Sequence, residues 1–134
     1  MDWKKEAIRD LQMHNGRKKA CKAIKERCDA LQLEMKSVGE PGEITKQLLD
    51  LHAKRKRLEC AYQANEQLVS LVERGLAELT PAQRQVLAEF YVDRRPEYID
   101  HLCTSLNVEQ ANLYKIKNAA IKEFTLKMYG ILEY

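Results

Sequence analysis

Amides, an aromatic ring and lysines alternate with apolar residues from Glu109 to about residue 128. Leu113, Ile116 and Ala120 recur at helical spacing and are expected on the inner face of a helix. The candidate contact residues on the rest of that helix are Gln110, Ala111, Asn112, Tyr114, Lys115, Lys117, Asn118 and Lys122. Amides pair with base edges, and lysines with phosphates, when such a helix lies in a DNA major groove. A helical hairpin that only packs has the same spacing, so the pattern alone leaves both interpretations open.

Cysteine and histidine supply the other side chains with reactive groups. The four cysteines are Cys21, Cys28, Cys60 and Cys103. No two of them have C-x-x-C spacing, and none is spaced from a histidine as zinc ligands are. This usage is typical of reduced thiols in a cytosolic protein. The histidines are scattered and form no set of nucleophile, base and acid. We therefore expect no metal site, no cofactor and no enzymatic activity.

A second helix and a turn are predicted directly before this segment. Pro96 suits a first helical position, because its fixed φ matches the helix. Asn107 suits the turn, because Asn tolerates the left-handed conformation, and Val108 is expected to fill the angle between the helices. The inner face of this helix is predicted to be Ile99, Leu102 and Leu106.

A helix start with its own signals lies upstream, at Thr80. Thr80 suits an N-cap, Pro81 the first helical position, and Gln83 can complete a capping box. This helix is predicted to run to about Val92, ending before Pro96 because the residue preceding a proline avoids the helical region. At the other end of the domain, Gly130 is a good C-cap for the last helix, with Ile131 and Leu132 folding back on it.

The whole chain has the composition of a helical protein. Only 5 glycines and 3 prolines occur in 134 residues, which are rich in Ala, Leu, Lys, Glu and Gln. The net charge is +3, and no apolar run has the length of a membrane span or the features of a signal peptide. We expect a soluble, cytoplasmic, all-α protein that does not associate with membranes.

Three helices are predicted before residue 80. The first spans 2–14, anchored through Trp3 by core packing, and ends at Asn15-Gly16, since both residues favour a helix end. The second spans 17–38, and a reversal at 39–42 leads to a third over 43–79. The second carries a heptad pattern at Cys21, Ile24, Cys28, Leu31, Met35 and Val38.

The third helix, roughly 55 Å long at ~1.5 Å per residue, carries a continuous heptad stripe that is apolar except at Arg55 and Asn65. Its members are Ile44, Leu48, Leu51, Arg55, Leu58, Tyr62, Asn65, Val69, Val72, Leu76 and Leu79. The shorter 17–38 helix covers only part of this stripe as an antiparallel partner. Either a second copy covers the rest, with polar Asn65 fixing the register of a homodimer, or the C-terminal domain covers it. Two domains are predicted, 1–79 for hairpin formation and oligomerisation and 80–134 for DNA binding.

Charge is distributed unevenly between these two regions. Residues 17–27 hold six cations against a single acid, which is either a solvated helix face or a contact with a nucleic-acid backbone. Residues 80–134 hold seven basic and seven acidic side chains. We therefore expect modest DNA affinity from one copy of the chain.

Residues 79–125 resemble region 4 of sigma-70-type factors. The matching elements, in order, are Leu79 to Gln83, Val86-Leu87 with Tyr91, Ile99 with Leu102 or Cys103, Leu106-Asn107-Val108, and Ala120-Ile121. The resemblance implies a helix-turn-helix whose DNA-reading positions are Gln110, Ala111, Tyr114 and Lys115. Two positions depart from the family, which usually has Gly in the turn and Ser or Thr as the cap, where this chain has Asn107 and Glu109. Sigma factors often have Arg and Glu among the DNA-reading positions, so the resemblance does not extend to the DNA sequence recognised.

A helical hairpin before such a domain is also similar to small phage and prophage regulators of the ArpU and RinA kind. The resemblance implies a sequence-specific transcriptional regulator that binds double-stranded DNA, with RNA polymerase as a further possible partner. Gln110 and Asn112 would read bases, Tyr114 and Lys115 would contact base or phosphate, and Lys117 and Lys122 phosphate. Two alternatives stay open: a DNA-recognition subunit for phage packaging, resembling a small terminase, and a protein-interaction module that binds polymerase.

Overall fold

The computed structural model describes residues 2–38 and 45–130, which are helical and include no strand. The α-helices are α1 (Trp3–Lys36), α2 (Lys46–Ala77), α3 (Pro81–Leu87), α4 (Tyr98–Leu106) and α5 (Gln110–Tyr129), with a π-helical turn at Ala88–Val92 after α3. The expected all-α class is therefore confirmed. Within the described stretches, no helix is both long enough and apolar enough to cross a membrane.

Helix α1 is continuous, so the predicted break at Asn15-Gly16 is wrong. Tertiary contacts outweigh the local preference of these residues for a helix end. The Asn15 side-chain amide donates a hydrogen bond to the carbonyl of Val92, 3.1 Å away, and His14 just before it is buried. Gly16 is helical, at a cost of about 1 kcal/mol relative to alanine. The separate helices predicted at 2–14 and 17–38 are thus one helix.

Helix α2 matches the long helix predicted over 43–79, and its heptad stripe is its least exposed face. Leu51, Val69, Val72 and Leu79 are buried, and the other described members are half-buried. Ile44 and the predicted reversal at 39–42 lie outside the described residues. The apolar periodicity therefore predicted correctly which side of α2 packs.

Two compact units can be distinguished, and α1 and α2 each pass from one into the other. The terminal unit comprises Met1–Asn15 and Leu68–Tyr134, and the middle unit comprises Gly16–Gln67. The boundary predicted between residues 79 and 80 lies at the Thr80 capping motif, whereas these units are defined by which residues pack together. The predicted domains and the observed units therefore divide the chain at different residues.

The middle unit packs residues of α1 against residues of α2. Cys21, Met35 and Leu51 are buried there, and the Cys21 thiol lies 4.0 Å from the carbonyl of Tyr62. Burial, and secondarily the charge of Glu66, raises the pKa of the Cys21 thiol above its usual value. All four cysteines are free.

The terminal unit has a core that draws on both ends of the chain. Its buried members are Ala7, Leu11, Val72, Leu79, Leu87, Ala120, Ile121 and Phe124. The expected anchoring of Trp3 by packing is confirmed, because its ring lies 4.8 Å from that of Tyr129. The Tyr129 hydroxyl donates a hydrogen bond to the Asp10 carboxylate.

This core covers the C-terminal end of the heptad stripe, at Val72 and Leu79. Val72 is fully buried in the same cluster as Phe124 of α5, and Leu76 packs against it. Because α1 has no break, Ala7 and Leu11 also contribute to this cover. Of the two explanations for the stripe, cover by the C-terminal region is the one observed at Val72 and Leu79. The homodimer through the rest of the stripe, with Asn65 fixing its register, stays a prediction.

Helix α3 begins with the predicted capping box. The Thr80 hydroxyl accepts a hydrogen bond from the Gln83 N–H, and the Gln83 side chain accepts one from the Thr80 N–H, both at 3.2 Å. The helix then widens into the π-helical turn Ala88–Val92, which Asp93 closes by donating its N–H to the Ala88 carbonyl at 2.7 Å. The predicted end near Val92 is therefore confirmed, although the last turn is π-helical.

Helix α4 starts at Tyr98, so the prediction that Pro96 occupies its first position is wrong. Pro96 lies in a turn, and Glu97 is the N-cap in a left-handed conformation with φ 56°. A residue in the left-handed conformation cannot lie inside a right-handed helix, so α4 can begin only after Glu97. The Tyr98 ring then meets Phe90 edge-on at 5.1 Å, and the Arg94 guanidinium lies 4.7 Å from its centre.

Candidate nucleic-acid interface

The turn between α4 and α5 is formed by Asn107 and Val108. Asn107 has φ 54° and ψ 51°, the left-handed conformation expected for it. The Val108 N–H donates to the Cys103 carbonyl at 3.0 Å and the Asn107 N–H to the Thr104 carbonyl at 3.3 Å. This pair of bonds is a Schellman motif, which satisfies carbonyls that the helix end would otherwise leave open. It sets the angle at which α5 leaves α4.

An apolar cluster holds α3, α4 and α5 together around this turn. Val86, Leu102 and Leu113 are fully buried in it and Phe90 nearly so, with Val108 and Ile116 packed against them. The expected inner face of α5 is thus confirmed, although Ala120 belongs to the other apolar cluster, with Phe124. The predicted inner residues of α4 also line this cluster: Ile99, Leu102 and Leu106. The packing orients α5 through its inner face and leaves its opposite face available.

A polar brace formed by Glu89, Arg95 and His101 joins the π-helical turn to α4. The His101 Nδ1 lies 2.6 Å from Glu89 Oε1, and Arg95 Nε lies 3.5 Å from the same oxygen. Arg95 Nη1 donates to His101 Nε2 at 3.3 Å, and since guanidinium only donates, Nδ1 carries the imidazole proton. Glu89 is largely buried, and Gln85 donates a hydrogen bond to Ser105 at 2.9 Å beside it. The brace positions α4 and reaches no residue of α5.

The predicted contact residues at the start of α5 are exposed, although the Tyr114 ring also touches Phe90 at the edge of one cluster. The six in the first three turns are exposed, and they are Gln110, Ala111, Asn112, Tyr114, Lys115 and Asn118. Lys122 is also exposed, one turn further on. These exposed side chains form the surface that we call the α5 outer face. This surface holds amides, a phenol and ammonium groups, all able to contact base edges or phosphates.

Lys117 differs from its neighbours on α5 because it is half-buried. Its ammonium lies 5.6 Å from the centre of the Phe90 ring and 5.4 Å from that of Tyr114. The Phe90 and Tyr114 rings meet edge-on at 6.0 Å. Cation–π attraction and ring packing thus hold Lys117 and Tyr114 in place. Apolar spacing gives no signal for this three-residue contact, because Phe90 comes from a different helix.

The N-terminus of α5 lacks a side-chain cap. Glu109 is the N-cap residue, and its carboxylate accepts no hydrogen bond from the first turn. Its carbonyl accepts the usual helical bond from Leu113 at 2.9 Å. Glu109 therefore does not replace the side-chain cap that Ser or Thr usually provides at this position in sigma region 4. The carboxylate also adds negative charge at the end of the α5 outer face that a phosphate would approach.

The two units differ in their net charge. The terminal unit, which contains α5, has 11 Lys and Arg against 12 Asp and Glu. The middle unit has 12 Lys and Arg against 8 Asp and Glu. The positive charge near α5 is therefore local, at Lys115, Lys117 and Lys122, and the overall excess lies in residues 16–67.

Comparison with known proteins gives no relative for this chain: no family model, no curated protein and no solved structure matches it.

Proposed function

We propose that this protein is a sequence-specific DNA-binding transcriptional regulator that reads the major groove with the α5 outer face. The proposal includes the finer architecture expected from the sequence, an antiparallel helical hairpin joined to a helix-turn-helix similar to sigma region 4. The observation that carries it is the combination of a buried inner face and an exposed polar outer face on α5. Double-stranded DNA is the partner, and no chemical step is involved.

The residue types on the α5 outer face favour this function over simple packing. A helix that served only to pack would direct its apolar residues inward and could carry any soluble residues outward. Here the exposed positions of the first turns hold two amides, a tyrosine and a lysine, the side-chain types that contact bases and phosphates. The α5 helix is also held at two places along its inner face, by Leu113 in one apolar cluster and Phe124 in the other. Preorganisation of this kind lowers the entropic cost of binding.

The roles on the α5 outer face follow from side-chain chemistry. Gln110 and Asn112 can form bidentate hydrogen bonds with an adenine edge. Lys115 and Lys122 are proposed phosphate contacts, and Tyr114 contacts either a base or the backbone. The phosphate contact of Lys117 stays a prediction. Because its ammonium also lies near the rings of Phe90 and Tyr114, we propose that Lys117 in addition orients Tyr114.

Selection of bound fragments from a random duplex pool tests the proposal. We expect one family of related sequences to be enriched, with an affinity that falls steeply as salt rises. Lys115→Ala should weaken binding of all sequences alike and reduce the slope of log affinity against log salt by about 1. Lys5→Ala is the matched control, since Lys5 is also an exposed lysine and is remote in sequence from α5.

Two results would contradict the proposal. One is a pool in which no sequence is enriched over the starting library. The other is a Lys115→Ala variant whose affinity and salt dependence equal those of the wild type. Retention of wild-type helicity and unfolding temperature by the variants shows that a loss of binding is not a loss of fold.

A further inference from the structure

A groove in the middle unit brings three cations together from two helices. Arg27 comes from α1, and Lys54 and Arg57 from α2. Between them lie small or apolar side chains, Ala30, Leu31 and Leu58, and one carboxylate, Glu34. Sequence spacing does not predict this grouping, since Arg27 lies 27 residues from Lys54. We call it the basic groove.

The three cations of the basic groove are available to a ligand. Arg27, Lys54 and Arg57 are exposed, and within residues 2–38 and 45–130 none of them forms an ion pair with a carboxylate. The neighbouring Arg55 behaves differently, because its guanidinium lies 3.4 Å from Glu59 on the next turn. Three unneutralised cations beside a single carboxylate favour a multiply charged anion.

The net charge of the middle unit favours the phosphates of a nucleic acid as that anion. The terminal unit, which carries α5, has no excess of positive charge, whereas the middle unit has four more cations than acids. Salt-dependent affinity for DNA comes from phosphates neutralised by Lys and Arg. Arginine is suited to phosphate because its planar fork can form two hydrogen bonds to one phosphate group. The unit without the recognition helix is thus the better source of backbone affinity.

We propose that the basic groove binds the phosphodiester backbone of a nucleic acid and supplies most of the salt-dependent, sequence-independent part of its affinity. This inference rests on the proposed function only in taking DNA as the ligand. It assigns affinity to Arg27, Lys54 and Arg57, and it leaves sequence preference to α5. Glu34 weakens the site, because its carboxylate repels the phosphates.

A second set of cations on α1 provides a control matched in number and charge. Lys18, Lys22 and Lys25 are exposed, and their spacing of four, three and seven places them on one side of the helix. Lys25 lines a different groove, with Cys28, Glu59 and Tyr62. Neutralising these lysines removes the same charge from the same unit and leaves the basic groove intact.

The test compares two triple variants of the full chain, Arg27→Gln/Lys54→Gln/Arg57→Gln and Lys18→Gln/Lys22→Gln/Lys25→Gln. Fluorescence anisotropy measures binding to an enriched duplex and to an unrelated duplex over a salt series. For the groove triple we expect the log–log salt slope to fall by about 2.7, the value for three phosphate contacts, with the same fold loss on both duplexes. The control triple should change the slope by less than half as much. Glu34→Gln should tighten binding to both duplexes severalfold.

Distinct outcomes separate this inference from the proposed function. If Lys115→Ala weakens binding but the groove triple leaves the slope unchanged, or changes it no more than the control triple does, the basic groove is not a backbone site. A poly-glutamate peptide could instead bind the wild type and not the groove triple, while both bind DNA with equal affinity. That result would assign the basic groove to an acidic protein and overturn the proposal. If the groove triple loses affinity while Lys115→Ala has no effect, the groove assignment stands and the α5 assignment fails. Unchanged helicity and unfolding temperature confirm that each variant is folded.

Discussion

The ammonium group of Lys117 lies 5.4 Å from the centre of the Tyr114 ring, three residues before it on α5. The same ammonium lies 5.6 Å from the Phe90 ring, so an aromatic residue of the π-helical turn also engages it. Tyr114 and Lys117 are both candidate DNA contacts, and a cation–π contact links the two side chains. The orientation of the α5 outer face therefore depends partly on Phe90.

Lys117→Gln should lower the free energy of unfolding by about 0.5–1 kcal/mol, because the cation–π contacts are lost. It should reduce DNA affinity less than Lys115→Gln does, since Lys117 is half-buried and Lys115 is exposed. Urea unfolding and anisotropy measure the two effects. Equal losses of affinity in the two variants, with no change in the stability of Lys117→Gln, would show that Lys117 contacts phosphate directly.

Glu109→Ser should improve both stability and DNA binding. A serine hydroxyl can accept a hydrogen bond from the first turn of α5, which the Glu109 carboxylate does not do. We expect a net gain of about 0.5 kcal/mol, since the favourable interaction of a carboxylate with the helix dipole is lost at the same time. Affinity should rise because a negative charge near the phosphates is removed. Glu109→Ala is the control, and it should share the gain in affinity without the gain in stability.

Asn107 should tolerate glycine but not alanine. Its left-handed φ of 54° costs a residue with an ordinary side chain about 1 kcal/mol, whereas glycine adopts it freely. Asn107→Ala should therefore lower the unfolding free energy by about 1 kcal/mol, and Asn107→Gly should leave it unchanged or higher. Thermal and urea unfolding measure the difference. An alanine variant as stable as the glycine variant would mean that the turn relaxes to another conformation.

Two helical glycines should respond to alanine in opposite directions. A Cβ atom at Gly16 would meet nothing within 4 Å, so Gly16→Ala should stabilise the protein by about 1 kcal/mol. A Cβ atom at Gly75 would lie 3.0 Å from the Phe124 ring and 3.4 Å from the Met128 sulfur. Gly75→Ala should therefore lose stability despite its better helix propensity. A gain of equal size at both positions, measured by urea unfolding, would contradict the close packing of α2 and α5.

Local patterns predicted those features whose cause is local. The Thr80 capping box depends on residues three apart, and the buried side of α2 follows from apolar periodicity, so both could be predicted. The left-handed turn at Asn107 and the exposed outer face of α5 were predictable for the same reason. These features include most of the candidate DNA-contact surface.

Features that depend on distant residues could not be predicted in this way. The continuity of α1 through Asn15 is supported by a bond to the Val92 carbonyl, 77 residues away in sequence. The brace between Glu89 and His101 joins two elements, and the basic groove joins α1 to α2. The contacts of Tyr98, at the start of α4, with Phe90 and Arg94 also join separate elements. Each of these arises only after the helices have packed.

The central claim is that α5 reads DNA sequence, and Gln110 tests it most directly. The measurement is the affinity of wild type and Gln110→Ala for the enriched duplex and for each of its single-base-pair variants, at one salt concentration. We expect the variant to lose discrimination at one or two adjacent base pairs, by about 1–3 kcal/mol, and to keep the wild-type ranking elsewhere. Identical discrimination by the two proteins at every base pair would contradict the claim.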